Sequence, residues 1–409
     1  MPVTRRIPGL VVTEHELQVP LDHATPAGEQ LIVFAREVAD PDGLDRPRLL
    51  FLQGGPGFEA PRPSRHPSSP GWLDRALEDY RVVLLDQRGT GRSTPVGPAT
   101  LASRTPAEQA AYLAHFRADA IVRDAESLRA QLGGEPWSVL GQSFGGFTAL
   151  AYLSQAPEGL REAMFTGGLP PIGRDPDEVY RATYARVMER SRRYYARYPE
   201  DRERFLGARD AAPRLAGGDR LSHARLRQLG DLLGAGDGPQ LLHAILELPP
   251  DSPAFAHDVE RAVDFARNPI YAILHESSYA DGHATNWSAQ RTLPAAYAED
   301  PALLTGEHVY PWMFDELGAL APLREATELL AAHPWPALYD RDVLAANTVP
   351  AAAAIYSEDM YVERAFSEET AAQVAGLRPW VTSEYEHDGL RADGGRVLGR
   401  LIDLVRGRA

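Results

Sequence analysis

The sequence predicts an α/β protein: a mostly parallel sheet, covered by helices on both faces and interrupted by a long helical insertion. Three observations predict it. Short apolar runs alternate with helix-periodic stretches near both ends of the chain. The apolar runs close on glycine-containing turns, the punctuation of strand-to-helix connections. From about Gly173 to Ala345 the alternation stops and strand-like runs become scarce. The division expected is therefore core at 1–172, helical cap at 173–345 and core again at 346–409.

Taken in order, the first ninety residues read as strands. Leu10–Val19 and Leu31–Val38 are rich in β-formers and separated by the turn-forming stretch Asp22–Gly28. Arg48–Leu52 ends in Gln53-Gly54-Gly55-Pro56-Gly57, and Arg81–Leu85 ends in Asp86-Gln87-Arg88-Gly89-Thr90-Gly91. Ala107–Leu132 has apolar residues at spacings of three and four, and Gly133-Gly134 closes it as a helix. Ser138–Leu140 runs into Gly141-Gln142-Ser143-Phe144-Gly145-Gly146, followed by a helix that stops before Pro157. Ala163–Thr166 is the next short strand. Tyr180–Arg209 reads as a long arginine-rich helix in the insertion. The alternation resumes with a strand at Val349–Tyr356, a helix through Phe366–Ala375, a strand at Trp380–Glu384 and a helix from Gly394 to Val405.

Composition removes whole classes of chemistry. The 409 residues carry 42 basic and 57 acidic side chains, a net charge of −15, which argues against nucleic acid or anionic membrane partners. There is no cysteine, so disulfides, thiolate metal sites and cysteine nucleophiles are excluded. All the basic residues are arginine. Schiff-base chemistry and a Walker-type phosphate loop, which need lysine, are therefore out. No apolar run reaches the length of a membrane span and none near the start resembles a signal peptide, so a cytoplasmic location is expected.

Functional groups of a parallel sheet sit beyond the carboxyl ends of its strands. Gly141-Gln142-Ser143-Phe144-Gly145 fits the G-x-S-x-G elbow, with a strand before it and a helix after it. A serine at so sharp a turn projects above the sheet, beside the positive end of the following helix. A serine nucleophile needs an imidazole base and an orienting acid. Of twelve histidines only His387 follows the resumed alternation, in a loop with Asp388-Gly389. Asp359, after the strand ending at Tyr356, is the candidate acid; Glu358 competes with it, and Asp388 is poorly placed beside the histidine. Gly54-Gly55-Pro56-Gly57 is suited to offer backbone N–H groups to an oxyanion. His275-Glu276-Ser277-Ser278-Tyr279 begins like the zinc motif H-E-x-x-H, but Tyr279 stands where the second histidine must be, so no metal site is expected.

Together the Gly-Gly-Pro-Gly at 54–57, the run Asp86-Gln87-Arg88-Gly89-Thr90-Gly91-Arg92-Ser93, the elbow, and Asp359 and His387 in that order resemble the prolyl aminopeptidase (proline iminopeptidase) family of α/β-hydrolases. One departure is Gln53, where many members carry histidine. The resemblance implies an α/β-hydrolase fold with an inserted helical cap, and release of an N-terminal residue, preferentially proline, from small peptides. It implies Ser143 as nucleophile, His387 as base and then acid, and Asp359 as its partner. The N–H groups of Gly55 and Phe144 would form the oxyanion hole, and no cofactor is needed. Family members bind the substrate amine through cap glutamates. Glu276 is the first candidate here and Glu307, in Gly306-Glu307-His308-Val309-Tyr310, the second. An esterase or amidase on the same scaffold is the nearest alternative, and a hydrolase-like binding protein without turnover the next.

Overall fold

Among the residues that the structure describes, 3–65 and 70–409 of a computed structural model, nine strands form one sheet. They are β1 (Val3–Ile7), β2 (Leu10–Pro20), β3 (Gln30–Ala39), β4 (Arg48–Leu52), β5 (Arg81–Asp86), β6 (Trp137–Gln142), β7 (Leu160–Thr166), β8 (Ala351–Tyr356) and β9 (Leu377–Thr382). Their order is β1-β2-β3-β5-β4-β6-β7-β8-β9. β1, β2 and β3 pair antiparallel, as do β3 and β5, while every pair from β5 through β4 to β9 is parallel.

The central strands β4 to β8 are almost wholly buried because both faces of the sheet are covered there. Leu50, Leu52, Val83, Leu85, Val139, Ala163 and Phe165 face one core, with the helices Ala118–Gln131 and Phe144–Gln155 and the apolar face of the insertion. Their alternate neighbours Leu49, Phe51, Val82, Leu84, Leu140 and Met164 face a second core, under the helices Gly71–Asp79 and Gly394–Val405. The alanine run of β8 splits likewise, Ala351 and Ala353 to one face and Ala352 and Ala354 to the other.

Three element assignments change. The first ninety residues include a helix, Gly71–Asp79, whose Trp72, Leu73, Ala76 and Leu77 are buried. The helix expected over 107–132 is two helices, Pro106–Leu113 and Ala118–Gln131, separated by a short 3-10 turn and an extended Arg117. The helix expected over 180–209 likewise divides at Pro199, into Pro176–Arg197 and Asp201–Ala211. Proline forces the residue before it out of the helical region.

No strand of the sheet lies between β7 and β8; the described elements there are helices and 3-10 turns. Arginines of the helix Pro176–Arg197 tie this helical layer to the loops after β8 and β9. Arg186 pairs with Glu363 at 2.7 Å, and Arg190 pairs with Glu386 and donates to the Glu358 carbonyl at 2.7 Å. No helix among the described residues is long and apolar enough to cross a membrane.

Candidate active site

Ser143 sits between β6 and the helix Phe144–Gln155, at φ 54° and ψ −126°. Such a conformation is costly for a residue with a Cβ and persists only where its surroundings impose it. Here the Ser143 N–H donates to the Thr166 carbonyl of β7 at 3.0 Å. The turn also needs bare backbone: a Cβ on Gly145 would stand 1.9 Å from the Leu52 carbonyl oxygen. The helix can thus start directly against the end of β4.

The loops after β8 and β9 carry the next two groups to the same point. His387 Nε2 lies 2.9 Å from Ser143 Oγ, and its Nδ1–H donates to Asp359 Oδ2 at 2.7 Å. The other Asp359 oxygen accepts the backbone N–H groups of Tyr361 at 2.8 Å and Val362 at 3.0 Å, which fixes the carboxylate's orientation. The nearby carboxylates are engaged elsewhere. Glu358 pairs with Arg193 at 2.6 Å, and Asp388 accepts from Arg391 at 2.8 Å and from the Gly236 N–H. Ser143, His387 and Asp359 are almost wholly shielded from solvent. Burial alone would depress the imidazole pKa. The charge and hydrogen bond of Asp359, with the charges of Glu307 and Asp231, hold it instead above its ordinary value.

The glycine loop after β4 lies beside the elbow. A Cβ on Gly54 would meet that of Ser143 at 3.0 Å, so this loop backbone is in contact with the nucleophile. Gly55 has φ 129°, a conformation for which glycine is suited. The run after β5 secures this loop. Gln87 Nε2 donates to the Gln53 carbonyl at 2.9 Å. Arg88 is fully buried, bonds both oxygens of Asp124 at 2.6 and 2.7 Å, and donates to the carbonyls of Leu21 and His115. Ser93 Oγ–H donates to the Asp86 carbonyl, and the Asp86 carboxylate accepts the Arg92 N–H at 3.0 Å. The sequence flagged this run without showing its purpose; the structure makes it a brace.

Of the two cap glutamates, Glu307 stands near the triad and Glu276 does not. The Glu307 carboxylate accepts from Tyr271 O–H at 2.7 Å and lies 3.6 Å from His275 Nε2. Glu276 Oε1 accepts the Ala289 N–H at 2.9 Å, and the side chain lines a small cavity with Thr285, Trp287 and Trp335 that no triad residue borders. Burial pushes its carboxyl pKa up. Glu276, expected as the first amine ligand, has its carboxyl in the interior of the helical layer, away from the triad.

A carboxyl that the sequence did not bring forward lies within electrostatic reach of the triad. Asp231, in the 3-10 segment Gln228–Gly234, has a buried carboxyl oxygen, Oδ1, without a hydrogen-bond partner. Burial and the charge of Glu307 push this carboxyl up to about 7. Burial works on Glu307 in the same sense, but His275 and His387 by charge, and Tyr271 by its hydrogen bond, hold it below the usual carboxylate range. Both carboxyls are within electrostatic reach of His387. An acid in the apolar, glycine-bracketed segment Leu229-Gly230-Asp231-Leu232-Leu233-Gly234 was the available signal.

Two cavities border the triad region. One of about 440 Å³ is lined by His387, Tyr361, Gly234, Gln53, Gln142 and Trp72, among others. A tighter apolar recess, bounded by Pro56, Phe116, Phe144, Phe147 and Leu274, adjoins the elbow. Among the described residues one trio could approach a metal ion, Glu200, Asp201 and His243. The Asp201 oxygens already accept from Tyr194, Arg204 and His243, so this trio is a closed network.

A parallel sheet with a strained serine elbow, and an imidazole and a carboxylate delivered from later strand ends, defines an α/β-hydrolase of the serine type. A family model for the alpha/beta hydrolase fold matches residues 47–240. A proline iminopeptidase of Aeromonas sobria is 48% identical, over 97% of this chain and 97% of its own. One of Aspergillus aculeatus is 34% identical, over 97% of this chain and 94% of its own. Among solved structures, a proline iminopeptidase-related protein of Thermus thermophilus aligns at 18% identity and a TM-score of 0.42, over 96% of this chain and 99% of its own. The chain belongs to the proline iminopeptidase family.

Proposed function

We propose that this protein is a serine aminopeptidase that releases an N-terminal residue, preferentially proline, from small peptides. The observation that carries the reading is the Asp231–Glu307 pair beside a hydrogen-bonded Ser143–His387–Asp359 relay. A relay alone serves an esterase equally well. A buried carboxylate next to the base costs free energy unless a cation neutralises it. The ammonium of a free N-terminus supplies that cation and forms charge-assisted hydrogen bonds. Peptide bonds inside a chain have no such charge, and that difference selects the terminal bond.

In the reaction, Ser143 Oγ attacks the carbonyl carbon of the N-terminal residue as His387 Nε2 takes its proton. The oxyanion is held by the N–H groups of Gly55 and Phe144. His387 then protonates the departing amine as the C–N bond breaks, leaving an acyl-enzyme. Water, deprotonated by His387, attacks the ester, and Ser143 leaves with the proton returned. Asp359 keeps the imidazole in the Nδ1–H tautomer throughout. The larger cavity at His387 suits the departing peptide. The chain divides, in this reading, into core 1–172, cap 173–345 and core 346–409. The absence of sheet strands from the middle segment supports that division. A panel of aminoacyl arylamides, with the amine free and blocked, tests the function. Fast turnover of free proline arylamide and little of its N-acetyl form is expected; equal turnover of both would refute it.

A further inference from the structure

We propose that Tyr361 is a positioning residue that sets the distance between the amine-binding carboxyls and the catalytic imidazole. The inference rests on the amine-binding reading of Asp231 and Glu307. Tyr361 is the one described residue found to contact the acid, the base and the segment carrying Asp231. Its backbone N–H donates to Asp359 Oδ1 at 2.8 Å. Its ring meets the His387 imidazole edge to face, with centroids 4.8 Å apart and planes at 83°. Its O–H donates to the backbone carbonyl of Asp231 itself. The same ring packs on Gly234, where a Cβ would lie 2.0 Å from its Cζ, and the Gly234 carbonyl accepts the His387 N–H at 3.1 Å. The segment Gln228–Gly234 is therefore attached to the catalytic loops at two points, at Asp231 in its middle through the phenol and at Gly234 at its end through the histidine backbone.

The substrate explains why such a gauge matters. In an N-terminal residue the amine nitrogen is two bonds from the reacting carbon, about 2.5 Å away. A carboxylate that grips the nitrogen therefore dictates where the carbonyl stands relative to Ser143. A shift of about 1 Å in that grip can cost on the order of 100-fold in rate. Phenol-to-carbonyl attachment fixes the Asp231 backbone, while the ring fixes the imidazole face. Amine recognition and proton transfer are thereby held in register by one side chain.

The test uses Tyr361→Phe, Asp231→Asn and the double variant in the full-length protein. For each, kcat/KM is measured on proline arylamide and on the nitrophenyl ester of cyclopentanecarboxylic acid, which has the ring but no amine. Tyr361→Phe keeps the ring and removes only the O–H, and a thermal melt checks that it folds. The amide-to-ester ratio is expected to fall about tenfold in Tyr361→Phe, and no further in the double variant than in Asp231→Asn alone. Tyr361→Leu, which also removes the ring, is expected to shift the acid limb of the pH profile on both substrates. If Asp231→Asn lowers the ratio and Tyr361→Phe does not, the gauge is refuted and the anchor stands. If Asp231→Asn leaves the ratio unchanged, the anchor fails and the gauge with it. Multiplicative losses in the double variant would show two independent effects and overturn the proposal.

Discussion

Replacing Glu307 with glutamine removes a charge from the proposed amine site with little change of shape. The carboxamide oxygen can still accept the Tyr271 hydrogen bond, which is 2.7 Å long in the native site. What disappears is the attraction between a carboxylate and an ammonium. At about 4 Å and an effective dielectric of about 20 this is worth about 4 kcal/mol. Two features reduce it. The Glu307 side chain is 15% exposed, so water screens part of the field. Glu307 also helps to hold Asp231 up near 7, so its removal lets Asp231 ionise more fully and take over part of the role. A net loss of about 2 kcal/mol remains, which is about 30-fold in kcat/KM on proline arylamide. Because Glu307 raises the His387 pKa, the acid limb of the variant moves to lower pH. The comparison therefore belongs on the plateau above both limbs, with the cyclopentanecarboxylate ester as the amine-free reference. A much smaller loss on the ester is expected. Equal losses on both substrates would place the action of Glu307 on the imidazole and refute the amine contact.

Ser143→Ala should lower kcat by roughly 10⁶-fold, as expected for a nucleophile acting within a triad, and leave the thermal midpoint in place; residual turnover within tenfold of the native rate would exclude Ser143 as nucleophile. Glu276→Gln should leave the amide-to-ester ratio within about twofold of native, since its carboxyl faces another cavity; a selective rise in KM for free-amine substrates would return Glu276 to the site. On proline arylamide the acid limb of kcat should lie at lower pH than that of kcat/KM, whereas on the ester the two limbs should coincide. Coincident limbs on both substrates would mean that bound amine leaves the imidazole unaffected.

The strand-end groups were legible in the sequence because local pattern and chemistry coincide there. Ser143 carries its glycines with it, and Asp359 and His387 each follow a strand and precede a helix. Chain order then narrowed twelve histidines to one. The sheet was legible for the same reason, except where pattern is weak. β1 is exposed along most of its length, so it has no apolar signature, and only the Pro8-Gly9 turn, with Gly9 at φ 72°, announces its pairing with β2. The helix Gly71–Asp79 follows a proline-rich stretch, and its apolar pairs Trp72-Leu73 and Ala76-Leu77 are too few to stand out. The helical layer was legible only as helical. Which acid faces the imidazole depends on how 3-10 segments stack across more than a hundred residues, and no local spacing encodes that. The sequence put Glu276 ahead of Glu307 on the resemblance of its segment alone; their distance from the triad is tertiary.

The carboxyl pair has a second consequence beyond recognition. In the free enzyme the charges around His387 favour the imidazolium, which opposes activation of Ser143 by the neutral base. A bound ammonium offsets charge of the Glu307–Asp231 pair and reduces its share of that bias. The imidazole pKa then falls toward the value that Asp359 and burial alone would set. The base thus becomes more available when a substrate with a free amine occupies the site, and a displaced kcat limb is the expected result. An ester without an amine leaves both carboxyls unneutralised and finds His387 still biased toward its proton. On the proposed amine-binding reading, selectivity for the terminal residue has two electrostatic sources, the grip on the amine and the release of the base, and both trace to the same pair of carboxyls.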